Sequence, residues 1–183
     1  MDQAKPDTSE HIARIREWIA MGECIDISLT DDDDSHDGIP LAVSDTFVVI
    51  LCVDHWHADG VQIIPLDKIA DIQPFPERRQ ILAWNGVTTT NRYFWLDIES
   101  YAGLFQSLKR REPFITVEDE EGLDVGLVAA IGSDFVKLTT IDPDGDWVED
   151  LVEYPYKDIT VICVDCEYAN VLGAYSRQAV ANR

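Results

Sequence analysis

The sequence predicts a mainly β protein of the α+β class, with two tandem five-stranded small barrels, each preceded and followed by a short helix. Three observations lead there. Residues 38–72 and 126–162 follow one order of apolar strand, Asp-bearing turn, strand, hairpin tip and strand. Gly38 matches Gly126, Val43 matches Ile131, Phe47-Val48 matches Phe135-Val136 and Val53-Asp54 matches Ile141-Asp142, all at one offset. After a hairpin two residues longer in the second copy, Pro65 matches Pro155, Ile69 matches Ile159 and Ile72 matches Ile162. Such self-similarity means one supersecondary unit used twice. Finally, hairpin turns rather than helices join consecutive strands, which argues against a doubly wound α/β fold. An open α+β sandwich with helices on one face is the alternative.

The elements follow in order. Residues 1–7 read as a frayed tail. Thr8 or Ser9 caps a helix whose Ile12, Ile15, Trp18 and Ile19 keep helical spacing, and Gly22 stops it. Residues 24–29 alternate with β-branched residues and form a strand, and 30–38, TDDDDSHDG, are a polar loop. Residues 39–43 and 47–53 are strands joined by a short turn. Residues 54–60 make a hairpin tip, 61–65 return, and a single turn at 66–68 leads into a last strand at 69–73. Residues 77–84 form a short helix with Pro76 near its first turn. Residues 87–96, rich in Thr and aromatics, read as an extended connector or edge strand. Asp97 then caps a helix carrying Ile98, Tyr101, Leu104, Phe105 and Leu108 on one face. Its end is marked by Lys109-Arg110-Arg111, where cations suit the helix dipole, and by Pro113. The second copy starts at 114–117, which matches 24–27, and passes an acidic loop at 118–124. A final helix over 167–175 sets Tyr168, Val171, Leu172 and Tyr175 on one face, and 176–183 are a loose tail. The units are thus 8–86 and 97–176, with 87–96 between them.

Five short strands with tight turns between strands two to four, and a one-turn step before the fifth, suit a small, strongly bent barrel. Asp134-Phe135-Val136, residues 151–156, Asp158-Ile159-Thr160, and Tyr168 with Leu172 carry a resemblance. In these pieces each copy resembles a pattern common in uncharacterised bacterial proteins with small SH3-like or Sm-like β-barrel repeats. The first copy departs from it, with Arg79 to Leu82 in place of the Tyr-to-Leu helix. The resemblance implies strand order and no activity, and the Sm-type RNA-binding motif is absent.

Composition bounds the function. The 183 residues are 46% hydrophobic, enough for a core. No apolar run approaches the length that crosses a bilayer, and residues 1–18 lack the pattern of a signal peptide. Cys24, Cys52, Cys163 and Cys166 lie in or beside apolar runs and read as buried thiols in a reducing cytoplasm. The net charge is −21, with −11 on residues 1–90 and −10 on 91–183, so no acidic tail accounts for it. Such a field repels phosphate backbones and anionic lipid, and attracts basic partners.

Candidate sites are few. Asp142, Asp144 and Asp146 alternate, with Glu153 eleven residues after Asp142, as in a calcium loop. The sixth position, however, is Trp147 where that loop needs Gly, and the segment lies between strands, so it reads as a turn. Residues 31–37 are a solvated charge run. His55 and His57 would project to one side of an extended strand and could grip one zinc or nickel ion, although a polar hairpin tip needs no metal. Trp56 and Trp147 occupy equivalent hairpins, each either folded over its own barrel or standing as a binding anchor. Together with Asp54, Asp59, Asp142, Asp144 and Asp146 they are the candidate partner-binding residues. Cys163-Val164-Asp165-Cys166 has redox spacing but not the strand-to-helix setting of a redox motif. No phosphate loop, nucleophile elbow or zinc-protease motif is present, and the reading includes no cofactor. The sequence therefore points to a non-enzymatic, cytoplasmic binding protein with a basic protein partner, such as an inhibitor or immunity-type protein for a cationic nuclease. The alternative is a metal-binding protein or metal-dependent enzyme using His55 and His57. A homodimer through edge strands is a third expectation.

Overall fold

The computed structural model describes residues 8–30, 35–88 and 90–181. Helix α1 (Thr8–Met21) buries His11, Ile15 and Trp18 and ends where Gly22 turns left-handed (φ 61°). Thr8 and Ser9 both lie within the helix, so neither is the cap the sequence suggested. Strand β1 (Ile25–Leu29) pairs with β2 (Ser35–Val43). The expected polar loop over 30–38 is thus partly strand. His36 and Asp37 pair with Ile27 and Asp26, and the Arg78 guanidinium lies 2.7 Å from the Asp37 carboxylate. Residues 31–34 of the expected charge run at 31–37 lie outside the described residues, and within its remainder His36 is buried rather than solvated. Strands β3 (Phe47–Asp54) and β4 (His57–Pro65) leave only His55 and Trp56 at their tip, tighter than expected. Both residues have positive φ (45° and 69°), as a two-residue hairpin with matched twist requires. A single 3-10 turn (Leu66–Lys68) then leads to β5 (Ile69–Pro74) and to α2 (Pro76–Trp84), with Pro76 in its first turn.

The described residues among 87–96 form no strand and pair with no ladder. Helix α3 (Tyr101–Arg111) is capped by Ser100, whose hydroxyl accepts from the Gly103 amide at 3.1 Å. Asp97 instead accepts from the Glu99 amide and lies against Gly103, so it shapes the turn before the helix. Strands β6 (Ile115–Asp119) and β7 (Gly122–Ile131) meet at a tight turn, leaving most of the expected acidic loop in strands. They are followed by β8 (Phe135–Ile141), β9 (Val152–Pro155), β10 (Val161–Val164) and α4 (Glu167–Ala181). Residues 176–181, expected as a tail, continue α4. Gly173 packs on the Phe114 ring, Ser176 is buried, and the Arg177 guanidinium lies 4.6 Å above Phe114, so the helix is held along its length.

All ten strands form one antiparallel sheet, ordered β5-β1-β2-β3-β4-β10-β6-β7-β8-β9. β5 and β9 are its two ends and do not pair with each other, so the sheet is open rather than closed. The two copies share their registers. Gly38 faces Cys52 and Gly126 faces Thr140, and the same irregularity falls between Pro40 and Ala42 as between Val128 and Ala130. Phe47 faces Pro65 as Phe135 faces Pro155, and Ile27 faces Ile72 as Val117 faces Ile162. The copies meet where Ile63 and Gln62 of β4 face Ile162 and Cys163 of β10.

Two apolar clusters fill the molecule, and each draws on both copies. One gathers Phe47, Ile63, Leu104, Phe105, Val136 and Ile162 around α3, with Tyr101 stacked on Tyr156 at 4.7 Å. The other joins Ile15 and Trp18 of α1 to Ile27, Ile50 and Ile64, and continues to Phe114, Ile141 and Ala169 under α4.

Candidate functional site

The site is built where the β3–β4 hairpin meets the start of α4. The Asn85 side-chain amide donates to the Trp56 carbonyl at 2.8 Å, and the Arg78 guanidinium lies 5.3 Å from the Trp56 ring. Arg78 also donates to the Val53 carbonyl, so α2 props the tip from below. Trp56 is 42% exposed. On the solvent side Asp54 and His55 pair at 2.7 Å, and the hydrogen bond and charge of Asp54 raise the His55 pKa.

Asp59 does the connecting. Its carboxylate accepts from the Glu167 amide at 2.6 Å, satisfying an unpaired N–H of the first turn of α4 across 108 residues of sequence. Gly60 makes this approach feasible. Its φ is 69°, and a Cβ there would overlap the backbone of Val164–Cys166.

Helix α4 has two faces. Ala169, Gly173 and Ser176 are its buried side, small residues that let the backbone sit close to Phe114. The large residues point the other way. Tyr168, Val171 and Tyr175 are 54%, 62% and 59% exposed. With half-buried Leu172 they floor a groove of about 560 Å³, and its remaining lining is Asp54, Asp59 and Glu167. Among the described residues lining it, no base is present.

At the far end of the same helix, the Tyr175 ring covers Gly145 of the 142–147 loop. There Asp142 accepts from the amides of Asp144 and Asp146 at 3.0 and 2.9 Å, an Asx-type turn in which this carboxylate serves its own backbone. Asp144 and Asp146 are exposed. Trp147 is half-buried, 6.1 Å from Phe114, and forms an isolated bridge with Ile141. It therefore packs on the core while Trp56 faces solvent.

His55 and His57 do not share a strand face. His55 sits at the left-handed turn position and His57 opens the next strand. Among the described residues, no group of three or more His, Cys, Asp or Glu side chains is placed to hold a metal ion. All four cysteines are free thiols, and burial is the first cause that raises their pKa values, Cys24 to about 11 and Cys52 to about 12. Burial thus favours the protonated, less nucleophilic thiol form at Cys163 and Cys166 as well.

No protein-family model matches the chain, and no curated protein or solved structure is significantly similar to it.

The sequence indicated a hairpin within 54–60 and a turn at 142–146, both present, but left open whether Trp56 folds back or faces solvent. It grouped Tyr168, Val171, Leu172 and Tyr175 correctly but did not see that they face outward. The usable signal was the opposite stripe of small residues, Ala169, Gly173 and Ser176, which suits a helix pressed on a bulky ring.

Proposed function

We propose that this protein acts by binding a basic protein, as an inhibitor or immunity-type protein that neutralises a cationic nuclease in a bacterial cytoplasm. One observation carries the reading: an acid-lined apolar surface, at the meeting of the β3–β4 hairpin and α4, on a chain of net charge −21. Such a field raises the encounter rate with a cationic partner, and the apolar side chains add contact area once it has docked. The same charge opposes nucleic acid and anionic membranes, and no described helix is long and apolar enough to cross a bilayer. Each copy, in this reading, is a strongly bent five-stranded unit of SH3-like or Sm-like strand order, and the pair of units serves as a rigid platform.

A homodimer through the sheet edges is less well supported. β5 ends in Pro74, Arg14 donates to the Ile72 carbonyl, and β9 is four residues long and carries Glu153. These are features that blunt an edge against pairing.

The test is capture on immobilised protein at about 50 mM salt, within the range where surface charges are weakly screened. The bound protein is then purified and assayed alone. The reading expects a basic nuclease, released by salt and silenced by one equivalent of this protein. A neutral partner retained equally at high salt, or a nuclease bound but fully active, overturns it.

A further inference from the structure

The acid-framed groove on α4 specifies the form in which a cationic partner presents itself. We infer that it receives one amphipathic helix of that partner, carrying apolar anchors at i, i+3 or i+4, and i+7, with Lys or Arg at both ends. This rests on the cationic-partner reading above and adds the location and shape of the contact.

The spacing comes from α4 itself. Tyr168, Val171, Leu172 and Tyr175 form a stripe spanning eight residues, about 10 Å along the helix from first to last at 1.5 Å per residue. A partner helix laid along that stripe meets it with residues on one of its own faces, the usual helix-in-groove arrangement. Charge marks both ends. Asp54, Asp59 and Glu167 surround the first turn of α4, and Tyr175 touches Gly145, which stands between exposed Asp144 and Asp146. A helix with apolar anchors and a base on either side therefore satisfies the whole groove.

The alternatives fit less well. A second copy would bring another −21 and the same carboxylates against these, and anionic lipid is repelled for the same reason. The groove is also rigid at its base: Asp59 holds the Glu167 amide and Phe114 packs against Gly173, so a partner meets a formed surface.

The experiment uses the intact protein and two fluorescent 16-residue peptides of identical composition, four Leu and six Lys among Ala and Gln. In one the leucines fall on a single helical face; in the other they are dispersed. Anisotropy titrations are run at about 50 mM salt on the unaltered protein, Tyr168→Ala and Val171→Asp, with circular dichroism confirming that each variant is folded. The inference expects the amphipathic peptide to bind at least about tenfold more tightly than the dispersed one, and each variant to lose about tenfold or more, the scale of an interface hot spot. Equal affinity for both peptides, unaffected by the variants, overturns the groove and leaves the cationic-partner reading standing. Failure of both peptides to bind overturns both. Self-association in sedimentation that Val171→Asp abolishes also overturns it, in favour of a second copy.

Discussion

Gly60→Ala should be among the most damaging single-methyl additions available in this chain. Two costs add there. The left-handed backbone (φ 69°) disfavours any Cβ, by about 1–2 kcal/mol. The new carbon would also stand 2.6 Å from the Asp165 carbonyl carbon and 2.7 Å from the Cys166 nitrogen, backbone atoms fixed at the junction of β10 and α4. Forced overpacking of that kind costs about 1–3 kcal/mol. The sum is about 2–5 kcal/mol, a large share of the stability of a single domain. Gly22 provides the control. Its φ of 61° is close to that of Gly60, but nothing lies within 4 Å of a Cβ there. Gly22→Ala should therefore show the backbone cost alone. Urea unfolding followed by tryptophan fluorescence measures both, and the Gly60 variant should lose about 1–3 kcal/mol more. Equal losses would refute the close approach of β4 to the α4 junction, and with it the placement of Asp59 beneath α4.

Other consequences follow from the same geometry. Asp59→Ala removes the hydrogen bond to the Glu167 amide, a capping loss of about 1 kcal/mol, so the midpoint of thermal unfolding should fall by about 2–4 °C. Phe105→Ala empties the aromatic stack with Tyr156 at the centre of one cluster and should cost about 3–5 kcal/mol in the same urea assay. Burial raises the Tyr93 pKa to about 12 and that of Cys24 to about 11, above their unfolded values, so the folded state holds those protons more tightly. Their contribution is complete below about pH 8.5 for the thiol and about pH 10 for the phenol, and is lost as pH rises through 11–12; thermal unfolding from pH 8 to 12 should show stability declining only on the alkaline side. A thiol reagent at pH 8 should find the cysteines slow in the native protein and fast in urea.

Much of the fold is written locally. The matches from Gly38 with Gly126 to Ile72 with Ile162 gave the common registers, because strand alternation and turn residues act over a few positions. Helix α2 followed from Pro76 and Asn85-Gly86 in the same way. What the sequence did not display was contact between distant segments. The β4–β10 pairing that merges ten strands into one open sheet depends on Ile63 meeting Ile162, which no local pattern announces. The groove was hidden for the same reason. Tyr168, Val171 and Tyr175 look like a core face, and only the packing of Gly173 on Phe114 turns them toward solvent. The two hairpin tryptophans diverge likewise: Trp147 finds Phe114, whereas Trp56 finds the guanidinium of Arg78.

The most direct measurement of the central claim is amide hydrogen exchange of the protein with and without its purified cationic partner. The α4 stripe and the acidic hairpin are the binding surface in this account, so amides of residues 54–59 and 167–175 should gain protection together. Protection confined to β5, β9 or α2, with 167–175 unchanged, would contradict it.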